Sequence, residues 1–338
     1  MAANDVFLKK LSLYSINGDK ECWGTNINKF DWVPGVGLYG IFKAYEKTED
    51  NELLNFLLLW TEQHLEMAYE KETVNSVCPM LTVAELYAIT GNGKFLDVCR
   101  DVADFMIKKA PLTREGGLEH TVTEDAEFSE QMWADTLFMA VLFLAKMGKY
   151  EKKYLDFAIN QLKIHLKYLC DDETGLFFHG WNCEKKNHMS AVKWGRANAW
   201  IIYSAAEILK TAGGFEERET VERYIKRHAS SLAELQRKNG AFGTVLDDEN
   251  SYCEASATAG IVAGIKEAVN LGIISEKYNK VYKKGIDYLK SVISEDGLLR
   301  EVSYGTPVLK SAEDYKKVSI KPALYGQGLA SVALALDE

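Results

Sequence analysis

Proline is nearly missing from this chain: five in 338 residues, against 25 glycines. Few rings are available to break helices, so long helical stretches can run uninterrupted and an α-rich fold is expected. Long apolar runs are missing too. The longest, Leu137 to Ala145, falls far short of the ~20 residues that a membrane-spanning helix needs. The N-terminal MAANDVFLKKLSLYSI is too short and too polar in its apolar part for a secretory signal. The protein is therefore expected in the cytoplasm, with no membrane partner. Six cysteines (Cys22, Cys78, Cys99, Cys170, Cys183 and Cys253) form no Cys-x-x-Cys pair, and a chain of this size needs no staples, so free, buried thiols are expected. There is no excess of positive charge. Forty Lys and Arg against 49 Asp and Glu leave −9, so nucleic acid is not an expected partner and an anionic ligand would need a local cation. No glycine-rich phosphate loop, G-x-S-x-G elbow or H-E-x-x-H helix occurs, which removes phosphoryl transfer and serine hydrolysis as leading chemistries. His179, Cys183 and His188 lie close in sequence but match no standard zinc spacing, so no metal is expected.

What is present is an ordinary folded composition, 47% hydrophobic and 26% charged, arranged in a repeat. Leu137–Ala145 is apolar on every side, as a helix buried all round must be. After Gly148 comes a segment with Leu155, Ile159, Leu162, Leu166 and Leu169 on one stripe, a helix with one dry face. The same order recurs at 79–90 then 95–106, at 200–213 then 221–235, and at 256–271 then 278–293, mostly punctuated by a glycine of the kind that caps helix ends. A first pair, 36–46 then 52–69, turns at Lys47-Thr-Glu-Asp50 without one. The chain ends on an apolar helix near 325–336 that needs covering, and closure against the N-terminal segment 4–15 would cover it. Alternating buried and half-buried helices predict an all-α fold, an (α/α)6 barrel or six-hairpin toroid, with residues 1–338 as one domain. An open solenoid would instead need polar capping repeats.

The connections are lopsided. Turns from buried to half-buried helices are short, while the returns at roughly 109–130, 171–196, 238–254 and 294–324 are long, as loops that carry a site are. All open above the N-termini of the buried helices, where helix dipoles favour an anion. Trp32, Tyr39, Asn75, His120, Trp133, Asp135, His179, Trp181, Trp194, Arg196 and Trp200 fall at that end. Rings with a few polar groups suit a sugar. Trp133 and Trp200 could equally be core, and His120 and His179 satisfied structural histidines. Asp135 interrupts Gln131-Met-Trp-Ala-Asp-Thr-Leu-Phe-Met139 where burial makes a carboxylate costly; it is either a helix cap or an acid whose pKa desolvation raises. Arg196 offers a fork for a carboxylate, or one half of a structural ion pair.

With these segments in place, the chain resembles the unsaturated rhamnogalacturonyl hydrolases of glycoside hydrolase family 105, related to the unsaturated glucuronyl hydrolases of family 88. The resemblance rests on Asp31-Trp-Val-Pro-Gly-Val-Gly-Leu-Tyr-Gly40 with Tyr45-Glu-Lys-Thr48, on Met132-Trp-Ala-Asp-Thr-Leu-Phe-Met139, on His179-Gly-Trp181, on Trp194-Gly-Arg196 through Trp200, and on Tyr325-Gly-Gln-Gly328. It implies an (α/α)6 barrel without metal or cofactor, acting on the small unsaturated oligosaccharides that lyases leave from pectin. Asp135 would protonate C4 of the C4=C5 enol ether and activate the water that adds to C5; the hemiketal then opens and expels the neighbouring sugar, a rhamnose. His179, Arg196, Trp194 and Trp200 would hold the unsaturated ring, with Asn75, His120 and Tyr39 as looser matches. Two departures stand out. The family's Trp-Gly-Arg-Gly-Asn-Gly-Trp carries Ala197 and Ala199 here, whose methyls would narrow the pocket, and Thr121 follows His120 where some relatives have a basic residue. Glycosaminoglycan fragments are the rival substrate. A sugar 2-epimerase with His120 and His179 as paired histidines, and a non-catalytic partner-binding toroid, are the rivals from other classes.

Overall fold

The structure, a computed structural model, describes residues 3–337. Six helices form an inner ring: α2 (Trp32–Thr48), α4 (Met80–Thr90), α6 (Leu142–Met147, preceded by a π-helical turn Leu137–Val141), α8 (Gly195–Ala212), α10 (Ala255–Asn270) and α13 (Leu324–Ala335). Each packs on the next, and α13 returns to α2, so the ring closes. Around it lie α1 (Ala3–Asn17), α3 (Asn51–His64), α5 (Gly93–Lys108), α7 (Lys152–Leu169), α9 (Arg218–Leu235) and α11 (Asn279–Val292). This is the (α/α)6 toroid expected from the alternation. Leu137 through Ala145 are buried on all sides, and α1 lies across α13 and α2, covering the C-terminal helix. One further short helix, α12 (Ala312–Lys316), sits in the last long connection. All six cysteines are free. No helix among the described residues is long and apolar enough to cross a membrane.

The ring closes by backbone-to-backbone approach. A Cβ on Gly40 of α2 would come within 2.4 Å of the Gly328 Cα in α13, and one on Gly328 within 2.1 Å of the Val36 carbonyl oxygen. The glycines of both terminal motifs therefore let the first and last inner helices touch where any side chain would wedge them apart. Gly148 departs from the capping expectation: its φ of −58° is right-handed. Its missing side chain instead clears Leu155, whose Cβ would lie 2.5 Å from an added methyl. In the first hairpin the left-handed position falls on Glu49, at φ 53°.

Two histidines in the outer shell predict acid sensitivity. Burial pushes His165 down to about 4 and His228 down to about 3. His228 donates from Nε2 to Asn198 Oδ1 at 2.9 Å. Both stay neutral in the folded chain while the unfolded chain protonates them near 6.5. The unfolded state then binds more protons below that pH, so stability falls as pH drops from about 6.5 towards 4. At pH 5 each should cost on the order of 2 kcal/mol relative to pH 7. Denaturant midpoints at the two pH values measure this, and His228→Gln should shrink the difference; an undiminished difference would show that His228 is not one of its sources.

Candidate active site

The reacting end is organised by a two-stranded antiparallel sheet, β1 (Gln131–Trp133) against β2 (Gly180–Asn182), in register Met132↔Trp181 and Trp133↔Gly180. The pairing clamps two long connections together. Asp135 follows β1 by two residues, and His179 immediately precedes β2. The backbone N–H of Ala134 donates to the His179 carbonyl at 2.9 Å, which completes the link. Behind Asp135 the inner helix begins with the π turn Leu137–Val141, a wide turn of the sort found at functional sites. Asn198 of α8 holds the other side of the His179 segment. Its Oδ1 accepts from Phe177 N, and its Nδ2 donates to Phe177 O and Trp194 O, each at 2.9 Å.

His179 Nε2 lies 3.2 Å from Asp135 Oδ2, with the two side chains 1% and 13% exposed. Neither atom has a well-aligned hydrogen bond, to the other or elsewhere, so the pair is a close contact of buried polar atoms. Burial raises the Asp135 pKa, but the His179 ring, with smaller contributions from His120 and Arg196, outweighs it, and the carboxyl ends below its ordinary value. The expectation of a raised acid is thus corrected, because a histidine distant in sequence supplies the stabilising donor. Burial lowers the His179 pKa, and Asp135 restores only part of the loss. The resting pair is therefore a carboxylate beside a neutral imidazole. His120 is also neutral, pushed down to about 4 by burial; its ring stacks on Trp133 at 4.3 Å, and its Nδ1 meets Thr136 Oγ1 at 3.0 Å.

Arg196, 1% exposed, has a counter-ion: Glu254 Oε1 lies 3.7 Å from its Nη1, and Glu254 is fully buried. Nη1 also donates to Ser256 Oγ, to the Ser303 carbonyl and to Ser303 Oγ. Nη2 donates to Tyr304 O at 3.2 Å and Thr306 Oγ1 at 3.4 Å, while Nε has no partner. The guanidinium is packed between the Trp194 and Tyr325 rings, 4.4 and 4.7 Å from their centroids. Of the two readings of Arg196 the ion pair is present, and the same side chain also walls the cavity.

That cavity holds about 330 Å³ and is lined by Asp135, Asn75, His120, Trp133, Trp194, Arg196 and Met139 within, with Trp23, Trp32, Phe128, Tyr304 and Glu124 towards the mouth. Arg196 is the one Lys or Arg lining it among the described residues. Asn75 is held by its backbone, whose N–H donates to the Thr121 carbonyl, while Thr121 Oγ1 accepts from Val74 N at 2.8 Å. Thr121 therefore serves to position Asn75.

Four of the residues proposed from the sequence, Tyr39, His179, Trp181 and Trp200, are not in this wall. Tyr39 is fully buried, meeting Tyr203 hydroxyl to hydroxyl at 3.2 Å on the side of the buried Lys146–Glu207 pair. Trp200, one turn below Arg196, is fully buried against Phe138. His179 stands behind Asp135 rather than facing the cavity. Ala197 and Ala199 do not narrow the pocket: both are fully buried, and the Ala199 methyl faces Gly260 of α10, where an added Cβ would sit 2.6 Å away. Trp23 and Tyr304 were missed. They come from the 18–31 and 293–323 connections, and aromatic residues in a glycine-containing loop were the only signal available. His188, part of the zinc alternative, gives its Nε2 to the Tyr168 carbonyl at 2.8 Å.

The toroid's long connections thus enclose a carboxylate, an arginine and aromatic walls. Comparison with known proteins places the chain in a family. The profile of Glycosyl Hydrolase Family 88 matches residues 10–336, and the chain belongs to that family; it is a glycoside hydrolase. It is 36% identical over 314 residues to the unsaturated rhamnogalacturonyl hydrolase YesR of Bacillus subtilis (strain 168), covering 90% of this chain and 89% of that one. It is 28% identical to an unsaturated 3S-rhamnoglycuronyl hydrolase of Alteromonas sp. (strain LOR), covering 91% and 76%. A solved structure described as a possible member of the GH105 family, from Salmonella enterica, superposes with a TM-score of 0.93 at 30% identity, covering 98% of this chain and 93% of that one.

Proposed function

We propose that this enzyme releases the unsaturated uronic acid from the non-reducing end of lyase-generated rhamnogalacturonan disaccharides by hydrating the C4=C5 enol ether. The observation that carries this is Asp135, a carboxyl set in the inner wall of an aromatic cavity with a histidine donor behind it. Asp135 acts from its protonated form, the minor one at neutral pH because its pKa lies below the ordinary value: its proton goes to C4, and the carboxylate left behind takes a proton from the water that adds to C5. The hemiketal formed opens to a ketone, and the bond to the leaving sugar breaks with a proton returned to its oxygen. Arg196 presents Nε and the loosely bonded Nη2 to the uronate carboxylate, Trp194 and Trp133 flank the ring, and Asn75 and His120 meet hydroxyls.

Hydration consumes the conjugated double bond, so ultraviolet absorbance should fall on turnover, and faster on rhamnogalacturonan-derived than on glycosaminoglycan-derived disaccharides. Equal rates on both would withdraw the pectin assignment. The similarity to YesR, an unsaturated rhamnogalacturonyl hydrolase, favours this order of substrates. A conventional glycosidase needs two carboxylates in partnership, and Glu124, exposed at the rim, is the cavity's other one. Glu124→Gln should therefore lower kcat far less than Asp135→Asn; comparable losses would favour the two-carboxylate mechanism. The paired-histidine epimerase is disfavoured because His179 spends one nitrogen on Tyr315 and turns the other to Asp135.

A further inference from the structure

The short helix α12 carries one buried ring into the site from behind. Tyr315 is fully buried and does not line the cavity, yet its hydroxyl lies 2.6 Å from His179 Nδ1. The same hydroxyl accepts the backbone N–H of Leu309 at 3.2 Å. The ring also packs against Trp194 and the His179 imidazole, at 5.9 and 5.8 Å between centroids. α12 is itself tied down: Lys316 bonds Asp248 at 2.8 Å, and Tyr252 donates its hydroxyl to the Tyr315 carbonyl.

These contacts decide where the imidazole proton sits. A neutral histidine has one N–H and one lone pair. On one side Nε2 faces an Asp135 oxygen at 3.2 Å, and a lone pair turned to a carboxylate would be repelled. On the other, Tyr315 stays protonated, because burial raises its pKa well above the usual range. With the Leu309 N–H already accepted, its own O–H is free to donate to Nδ1. Both ends demand the same tautomer. We propose that Tyr315 is a positioning residue: its hydroxyl locks His179 as the Nε2–H tautomer, and that N–H orients the Asp135 carboxylate towards the cavity. The charged and titratable groups around this pair are His120, Arg196 and Tyr315 itself.

Without the hydroxyl, Nδ1 can take the proton, the Nε2 lone pair turns to Asp135, and the carboxyl loses the donor that opposes its desolvation. Its pKa should then rise. Because this rests on Asp135 being the acid of the proposed reaction, two readouts are needed. The first requires no turnover. In protein labelled with ¹⁵N-histidine, the His179 signals, assigned by comparison with His179→Gln, should show a protonated Nε2 and a bare Nδ1. A protonated Nδ1 on a neutral ring in the wild-type protein would overturn the proposal. The second is kinetic. Tyr315→Phe should lower kcat about 10- to 100-fold, the scale of a misoriented reacting group, with KM changed less than about threefold. The limb of kcat/KM that reports Asp135 should move to higher pH. Adding Tyr315→Phe to His179→Gln should cost nothing more, since the hydroxyl acts through the imidazole. A folded Tyr315→Phe enzyme with unchanged kcat and pH profile, or with only its melting temperature lowered, would refute the positioning role. If the wild-type enzyme leaves the unsaturated disaccharides untouched, the reaction assignment fails while the tautomer measurement still stands.

Discussion

Asp135→Asn should fold, bind substrate and all but stop turning over. The amide keeps the carboxyl's shape and offers an oxygen to the His179 Nε2–H, so the 3.2 Å contact and the packing of the π turn Leu137–Val141 have no reason to change. What is lost is the capacity to give a proton to C4 and to take one from water. General acid–base transfer accounts for about 10²–10⁴ in rate, so kcat should fall by that factor with KM little altered. Were Asp135 only a helix cap, asparagine would serve nearly as well and neither rate nor stability would move. Near wild-type turnover in a folded variant would remove the proposed mechanism. The pH profile gives a second check. A carboxyl held below its ordinary pKa is mostly ionised at neutral pH, so kcat/KM should climb as the medium is acidified towards the pKa of Asp135. It must be read above the pH at which the buried histidines begin to unfold the chain.

Removing the charge of Arg196 should damage the protein more broadly. Arg196→Met leaves Glu254, fully buried and 3.7 Å from the lost guanidinium, without a counter-charge. Breaking one half of a buried pair costs about 3–5 kcal/mol, which chemical denaturation would read directly. Ser303 and Thr306 would also lose their donor, loosening the loop that carries Tyr304 into the cavity. Arg196→Lys separates the two roles. It keeps the charge for Glu254 but cannot serve the acceptors on both Nη atoms. Stability should fall less than in Arg196→Met, while binding of the uronate weakens by roughly 1.5–3 kcal/mol, the scale of a charge-assisted hydrogen bond. A lysine variant with wild-type KM would show that the arginine holds the loop and not the substrate. Glu254→Gln tests the pair from the other side. It removes the charge and leaves one of two backbone donors, Ala257 N–H on Oε2 or Ser303 N–H on Oε1, facing an amide NH2, so it should lower stability without abolishing turnover.

The order of the helices was legible in the sequence because burial writes itself into local pattern. A helix apolar on every side, as at Leu137–Ala145, has no solvent face to offer, and a stripe such as Leu155, Ile159 and Leu162 has one. Alternation of the two kinds, with short turns one way and long returns the other, is enough to specify two concentric rings and the end at which loops gather. Asp135 stood out for the same local reason, a carboxylate amid residues that must be buried. Tertiary structure alone decided the rest. Whether an aromatic or polar residue of an inner helix faces the cavity, the core or a neighbouring helix depends on its depth along the axis, so Trp194 and Arg196 reach the cavity while Tyr39 and Trp200 lie below it. The sign of the Asp135 shift depends on His179, brought in by the β1–β2 pairing; the pairing of Arg196 depends on Glu254 at the start of α10; the set of the imidazole depends on Tyr315. These partners lie tens to more than a hundred residues apart, and electrostatic interactions follow distance through space, which local periodicity does not record.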